Sequence, residues 1–515
     1  MSLDRDAEAW IDPVAAQVRR TPDKRATCDL ARGATLTYGE LNRRIAQYGA
    51  YLIKRFGAES GVRVAMLARN GADTLVAQFG CVRAGAIFVP MNWRLAPAEL
   101  IALAADCSPR LVLHDAEFAG AAKAVAESCN AEAVAMGEPF EALLAGVEPA
   151  PPTALDPDAP ATLLYTSGTT GKPKGVIVTE RNARATAENF VALAHVSAES
   201  VFLCEPPLFH VVGLYAICRS TLTVGGTLLF SDRFDPARSL AWLTDAKLGV
   251  THYMCVPQMA QALRGVPGFD GRKLAHLETF STGGSPHPKA MILPWLEEGV
   301  ALADGYGMSE AGTVLGMPAR ERDALRVKAG SAGLAAGSVE TRITRADGGE
   351  AGVDEIGELW VKGPNVSPGY WNNPEATAAS RVGDWLRTGD LARRDGDGFF
   401  FLVDRAKDLF ITGGENVYPA EVESVVLELT GVAEVAVFGA PDARWGEIGC
   451  AVIVTASGAR LDADEVISHC RARLAGYKIP KHIAFASSLP RTASGKVQKH
   501  TLRGEWLART TAEKA

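Results

Sequence analysis

The sequence contains no run of about 18 uninterrupted apolar residues, so none of it is expected to cross a bilayer as a helix. It also lacks a basic, then apolar, leader. Asp4, Asp6 and Glu8 stand where a secretory signal would carry positive charge, and a cytoplasmic protein is expected. Cysteine is sparse and scattered: nine residues, no Cys-x-x-Cys, and no His/Cys group at metal-ligand spacing. That excludes a structural zinc site or a disulfide framework as the organising feature and predicts buried thiols in a reducing compartment. Positive charge is not in excess. The net charge of −7 argues against nucleic acid as a partner, so any anionic ligand must meet a locally positive site. With 47% hydrophobic and 22% charged residues over 515 positions, the composition is that of a globular protein too long for one core, and two or more domains are expected.

What is present is concentrated in Tyr165-Thr166-Ser167-Gly168-Thr169-Thr170-Gly171-Lys172-Pro173-Lys174-Gly175. Apolar Ala161–Leu164 leads in and Val176–Val178 leads out, which reads as strand, loop, strand. Glycines let several backbone N–H groups converge on an anion, while hydroxyls and lysines add donors and positive charge. A polyphosphate suits that set. It is not the ordinary P-loop, because Thr166 stands where that motif needs glycine and Pro173 where it needs Ser or Thr. Residues 1–150 alternate helical and strand patterns. Thr37 and Glu40 have capping-box spacing before apolar Leu41, Ile45, Tyr48 and Leu52. Val62–Leu67 and Ala86–Pro90 read as buried strands flanking a helix over about 71–84. Such alternation predicts an α/β fold with a largely parallel sheet. The Pro- and Asp-rich stretch 148–160 reads as a linker.

The eleven-residue string resembles the phosphate-binding signature of the adenylate-forming superfamily, and specifically of its acyl-CoA synthetases, the AMP-dependent CoA ligases. Further motifs extend the resemblance from about Thr21 to Arg503. It implies a large N-terminal domain of parallel and mixed sheets with flanking helices and a distorted barrel subdomain (1–404), and a small α+β lid domain (405–515). It also implies an AMP-forming acid–thiol ligase using ATP, Mg²⁺ and coenzyme A. Thr166, Ser167, Gly168, Thr169, Thr170, Gly171 and Lys172 would hold the β- and γ-phosphates. Gly283 and Gly284 lie in the Thr279–Pro286 segment, similar to the family's substrate and adenine loop. Gly305-Tyr306-Gly307-Met308-Ser309-Glu310 would place an aromatic ring on adenine, a hydroxyl near the α-phosphate and a carboxylate on Mg²⁺; hard oxygen ligands suit that ion. Ser309 replaces a more usual Thr and keeps the hydroxyl. Asp390 would accept the ribose hydroxyls and Arg405 would touch the nucleotide. Lys407 aligns with the hinge, and Asp404 stands where the family more often has Gly. In the small domain Gly413, Gly414, Trp445 and Tyr477 resemble positions lining a CoA site, with core packing the alternative for Trp445. Lys496, in Arg491-Thr492-Ala493-Ser494-Gly495-Lys496, resembles the catalytic lysine that bridges the substrate carboxylate and the α-phosphate, alongside Thr166 and Glu310.

His210, Val211, Gly213, Gly283 and Gly305 are expected around the acyl group. Malonate-using relatives carry arginine where Gly305 stands and a second histidine where Val212 stands, which points away from a dicarboxylate. An apolar monocarboxylic acid is expected, a medium- or long-chain fatty acid first, with a cinnamate- or benzoate-type aryl acid as the alternative. Only residues 497–515 follow Lys496, too few for a carrier domain, so free CoA is the expected acceptor, with a separate carrier protein the alternative. A non-catalytic nucleotide sensor or scaffold is the reading of another class. A homodimer is compatible with the sequence, which does not determine oligomeric state.

Overall fold

A six-stranded and a nine-stranded sheet dominate the first two thirds of the chain in the computed structural model. Described residues are 12–58, 60–150, 156–166, 173–285, 287–405, 407–442, 444–492 and 496–512, without the side chains of 510–512. The six-stranded sheet runs Glu132–Ala135, Leu111–His114, Arg63–Leu67, Ile87–Pro90, Pro160–Thr166, Lys174–Thr179. All neighbours in it are parallel except the last pair, a hairpin. The nine-stranded sheet is parallel through its centre, from Leu302–Met308 across Thr279–Thr282, His252–Cys255, Val201–Cys204 and Thr227–Phe230 to Arg25–Asp29.

Strand periodicity divides the core. Val64, Met66 and Phe88 point into one cluster with Phe202, Leu228 and Phe230 of the larger sheet; Ala65, Leu67, Ile87 and Val89 point into another with Leu100, Leu103 and Val125. Helices Tyr38–Phe56 and Ala72–Ala84 fill the first cluster, burying Leu41, Ile45, Tyr48, Leu52, Val76 and Phe79. The predicted capping box exists: Thr37 Oγ1 accepts from Glu40 N–H at 3.2 Å, and Glu40 Oε2 from Thr37 N–H at 2.8 Å. A further five-stranded sheet contains Glu340–Thr344, Gly357–Lys362, Arg381–Val382, Trp385–Arg394 and Phe400–Arg405.

The chain divides into two compact units. The first holds residues 1–287, 291–340 and 361–386, and the second 288–290, 341–360 and 387–515. In the second, a sheet ordered Glu415–Val417, Phe410–Thr412, Gly446–Thr455, Val432–Asp442 gains His482–Phe485 as a parallel neighbour of Gly446–Thr455. Val437, Ala451 and Ile453 face helices Pro419–Leu427 and Ala463–Arg471. Ala436, Phe438, Cys450 and Val452 face Leu502 of the terminal helix Lys499–Ala512. This is the expected α+β arrangement. No helix among the described residues is long and apolar enough to cross a membrane.

Candidate active site

The hairpin expected to carry the phosphate loop is formed by Pro160–Thr166 and Lys174–Thr179, with Thr166 opposite Lys174 and Tyr165 opposite Gly175. Gly175 lies close under the Tyr165 ring, where a Cβ would come 3.1 Å from it. Ser167 to Lys172, six of the seven residues expected on the phosphates, lie outside the described residues. Thr166 is half-buried, its Oγ1 3.5 Å from the Lys174 carbonyl.

A second segment ties this hairpin to Glu310. Ile177 N–H donates to Gly369 O and Trp371 N–H to Gly175 O, so residues 369–371 run beside the outgoing strand. Tyr370 then donates its hydroxyl to Glu310 Oε1 at 2.8 Å, and the Lys174 ammonium sits 5.1 Å from the Tyr370 ring centroid. Ser367 N–H donates to the Glu310 carbonyl. Burial and the Glu310 carboxylate together hold the Tyr370 phenol well above its usual range, so it stays protonated and remains a donor. Glu310 thus presents an oriented carboxylate with capacity left on its oxygens. That fits Mg²⁺, which takes one or two protein carboxylates and completes its shell with phosphate and water.

Beside this lies a partly open cavity of about 70 Å³. Phe190, Leu193, Val211, Val212, Met254 and Leu315 supply apolar walls. Six glycines, 283, 284, 305, 307, 312 and 316, supply bare backbone. The strands close in on one another here: a Cβ on Gly283 would stand 3.0 Å from Gly305 O, and one on Gly307 only 2.3 Å from Gly312 O. Tyr306 is also in the lining. Of the residues expected around the acyl group, Val211, Gly283 and Gly305 line this cavity; His210 and Gly213 do not. The His210 ring lies 4.5 Å from that of Phe209. Gly213 is buried where a Cβ would stand 2.5 Å from Pro207 O, so its role is to let the irregular helix Val212–Arg219 sit against residues 206–207.

In the second unit Asp390 and Arg405 face each other across the antiparallel strands Trp385–Arg394 and Phe400–Arg405, Arg405 Nε lying 2.9 Å from Asp390 Oδ1. The acid expected on ribose and the cation expected on the nucleotide are therefore partners. Asp404, where the family's glycine was expected, accepts from Arg405 N–H and Ala420 N–H at 2.7 Å each and so caps the start of the helix Pro419–Leu427. Lys407 is exposed in a turn. Trp445 is 42% exposed, so a core role is excluded for it. Its ring covers Gly413, where a Cβ would come within 2.9 Å, and Gly413 N–H donates to Trp445 O. Gly413 (φ +60°) and Gly414 (φ +92°) both occupy the left-handed region that favours glycine. Tyr477 is also exposed. Lys496 is exposed and closes a small loop with Thr492: Thr492 N–H donates to Lys496 O at 2.7 Å, and Lys496 N–H to Thr492 Oγ1 at 3.1 Å.

Sequence reasoning did not single out two of the site's acid and hydroxyl groups. Tyr370 sits in a Gly-Tyr-Trp segment with no periodic signal, sixty residues from Glu310. Asp304 precedes Gly305-Tyr306-Gly307 and becomes notable only once the strand is seen to be buried.

Two family models match the chain: AMP-binding enzyme over residues 14–371 and AMP-binding enzyme C-terminal domain over 421–496. Among curated proteins, a feruloyl-CoA synthase of Amycolatopsis sp is 40% identical over 92% of this chain and 94% of its own. A long-chain-fatty-acid–CoA ligase of Mycobacterium tuberculosis is 32% identical over 95% and 96%. The crystal structure of ATP-bound MatB from Rhodopseudomonas palustris superposes with a TM-score of 0.89 at 32% identity, covering 96% of this chain and 98% of that one. With the hairpin, the oriented Glu310 and both family domains in place, the chain belongs to the AMP-binding enzymes and is an adenylate-forming CoA ligase that uses ATP and CoA.

Proposed function

We propose that this ligase activates an apolar monocarboxylic acid, and that the acid is an aryl or arylalkenoic one. The observation that carries the reading is the cavity faced by six glycines. Bare backbone on closely spaced strands makes a flat-walled slot, which suits a planar ring better than a coiling alkyl chain. Fatty acids, the first expectation from sequence, remain the second reading. The apolar residues Phe190, Leu193, Met254 and Leu315 support it, as does the similarity to a long-chain-fatty-acid ligase.

In the first half-reaction a carboxylate oxygen attacks the α-phosphorus of ATP, and the bond to pyrophosphate breaks. Two anions must meet, so catalysis consists of positioning and charge neutralisation. We assign Glu310, oriented by Tyr370, to Mg²⁺, which when bound neutralises phosphate charge. The 166–172 segment holds the β- and γ-phosphates, and Lys496 supplies the cation at the reacting oxygens. Asp390 and Arg405 serve the nucleotide. In the second half-reaction the CoA sulfur, having lost its proton, attacks the acyl carbon and AMP leaves. Gly413, Gly414, Trp445 and Tyr477 serve that step, with residues 405–515 turning about Lys407 between the two.

Pyrophosphate release with ATP, Mg²⁺ and a panel of cinnamate, benzoate, octanoate and palmitate, with and without CoA, tests this. Turnover of the aryl acids above the alkyl acids is expected. Preference for octanoate or palmitate would return the assignment to fatty acids, and no release with any acid would favour a non-catalytic nucleotide binder.

A further inference from the structure

Two consecutive N–H groups at the acid assigned to ribose are met by side chains. The strand Trp385–Arg394 passes through Gly389 at φ +72°, in the left-handed region that favours glycine. Gly389 N–H donates to Glu358 Oε1 at 3.1 Å, and Asp390 N–H donates to Thr388 Oγ1 at 3.1 Å. The Thr388 hydroxyl in turn donates to Leu359 O at 2.7 Å. Both supports of the turn therefore lead to one neighbouring strand, Gly357–Lys362.

Glu358 is itself held from several sides. Its Oε2 accepts from Arg387 Nε at 3.0 Å, Arg387 Nη2 at 2.9 Å and Trp360 Nε1 at 3.0 Å. With Gly389 N–H on Oε1, four donors converge on one carboxylate whose side chain is only 15% exposed. Two of the four come from a cation, and charge-assisted bonds are the stronger kind. Pairing a surface arginine would by itself gain little. What sets Glu358 apart is its bond to the main chain of the ribose turn. Burial alternates along both strands: Leu386, Thr388, Asp390 and Ala392 are buried, whereas Glu358, Trp360 and Arg387 stand at the alternate, more exposed positions. Glu358 thus reaches the turn from the face opposite the Asp390 side chain and bears on it through the backbone.

We propose that Glu358 is a positioning residue for nucleotide binding: by fixing the Gly389 N–H it sets the direction in which Asp390 presents its carboxylate to the ribose hydroxyls. This rests on the assignment of Asp390 to ribose. Glycine has more backbone freedom than any other residue, and rotation about its bonds swings the side chain that follows. Asp390 also meets Arg405 through Oδ1, so a swing at Gly389 redirects both groups assigned to the nucleotide.

The test measures Kd for AMP, 2′-deoxy-AMP and 3′-deoxy-AMP by titration calorimetry, with the full-length unaltered protein and with Glu358→Ala, Glu358→Gln and Asp390→Ala. A hydrogen bond to a charged group is worth about tenfold or more, so the unaltered protein should bind AMP at least that much more tightly than the weaker-bound deoxynucleotide. Asp390→Ala removes the acceptor and should bring this ratio close to one. Glu358→Ala should lower it by about threefold or more, through weaker binding of AMP. Glu358→Gln keeps the shape and one acceptor oxygen but sets an NH₂ group against donors, and should lower it by a smaller factor. Should Glu358→Ala not fold, Glu358→Gln carries the test. A ratio unchanged in the Glu358 variants while Asp390→Ala collapses it would reveal a carboxylate that merely braces the sheet, and would overturn the proposal alone. A ratio unchanged in Asp390→Ala would remove the ribose assignment itself, and the proposal with it. No arm contains an acid, so the outcome is independent of which one the enzyme activates.

Discussion

Replacing Asp304 by asparagine keeps the shape and an acceptor for Thr282 but removes the titration, and its effect on stability has a definite sign. The unfolded chain releases this proton near 3.8, whereas the folded protein holds it up to about 8. Between these values the folded state binds the extra proton, so stability falls as pH rises, by about 1.4 kcal/mol per pH unit. His287 works oppositely: the unfolded histidine takes a proton below 6.5 that the folded one refuses until about 4, so its contribution is lost as pH falls. From 4 to 6.5 the two slopes cancel, and from 6.5 to 8 Asp304 acts alone, giving roughly 2 kcal/mol in all. The groups facing Asp304 are the Thr282 hydroxyl and the Gly305 N–H, neither of which titrates in this range. The assay is thermal or urea unfolding of the large unit's transition in the unaltered protein and Asp304→Asn, from pH 5 to 8. Because His287 is common to both proteins, asparagine should gain on aspartate steadily through this range, by about 1.4 kcal/mol per pH unit, or about 2 °C or less per kcal/mol in a body of this size. Parallel curves would refute the assignment of Asp304 as a buried acid.

Lys496→Ala should slow pyrophosphate release by about 10²–10³ while thioester formation from a supplied acyl-adenylate persists, measured as two separate half-reactions; equal loss of both would remove Lys496 from its assigned step. Tyr370→Phe frees Glu310 Oε1 and should raise the Mg²⁺ concentration needed for half-maximal pyrophosphate release by about tenfold. An unchanged Mg²⁺ titration would mean that Glu310 is not the ligand. Trp445→Ala removes the exposed ring over Gly413 and should raise the KM for CoA with little change in fold stability; the same KM would place CoA elsewhere.

Much of the fold was legible because its strands and helices obey simple periods. Val62–Leu67 and Ala86–Pro90 were readable as buried strands, and the Thr37/Glu40 cap marked its helix to the residue. The site was legible where function sits in contiguous motifs. It was not legible where chemistry is assembled by packing. Asp404 looked like a departure from a glycine turn, and only the fold reveals a helix start fifteen residues later for it to cap. Gly213 looked like space for a substrate, but the space is taken by the backbone carbonyls of Pro206 and Pro207. Asp390 and Arg405 could be named separately; their strand register makes them a pair.

The 369–371 segment binds the outgoing stem of the 166–174 hairpin through its main chain and Glu310 through a phenol. Triphosphate and divalent cation would therefore be sensed by a single ladder of backbone bonds. Any shift that draws Lys174 toward phosphate must also move the tyrosine that steers the carboxylate. Affinity for nucleotide and affinity for metal should accordingly rise and fall together, so that neither can be tuned by mutation in this segment without the other.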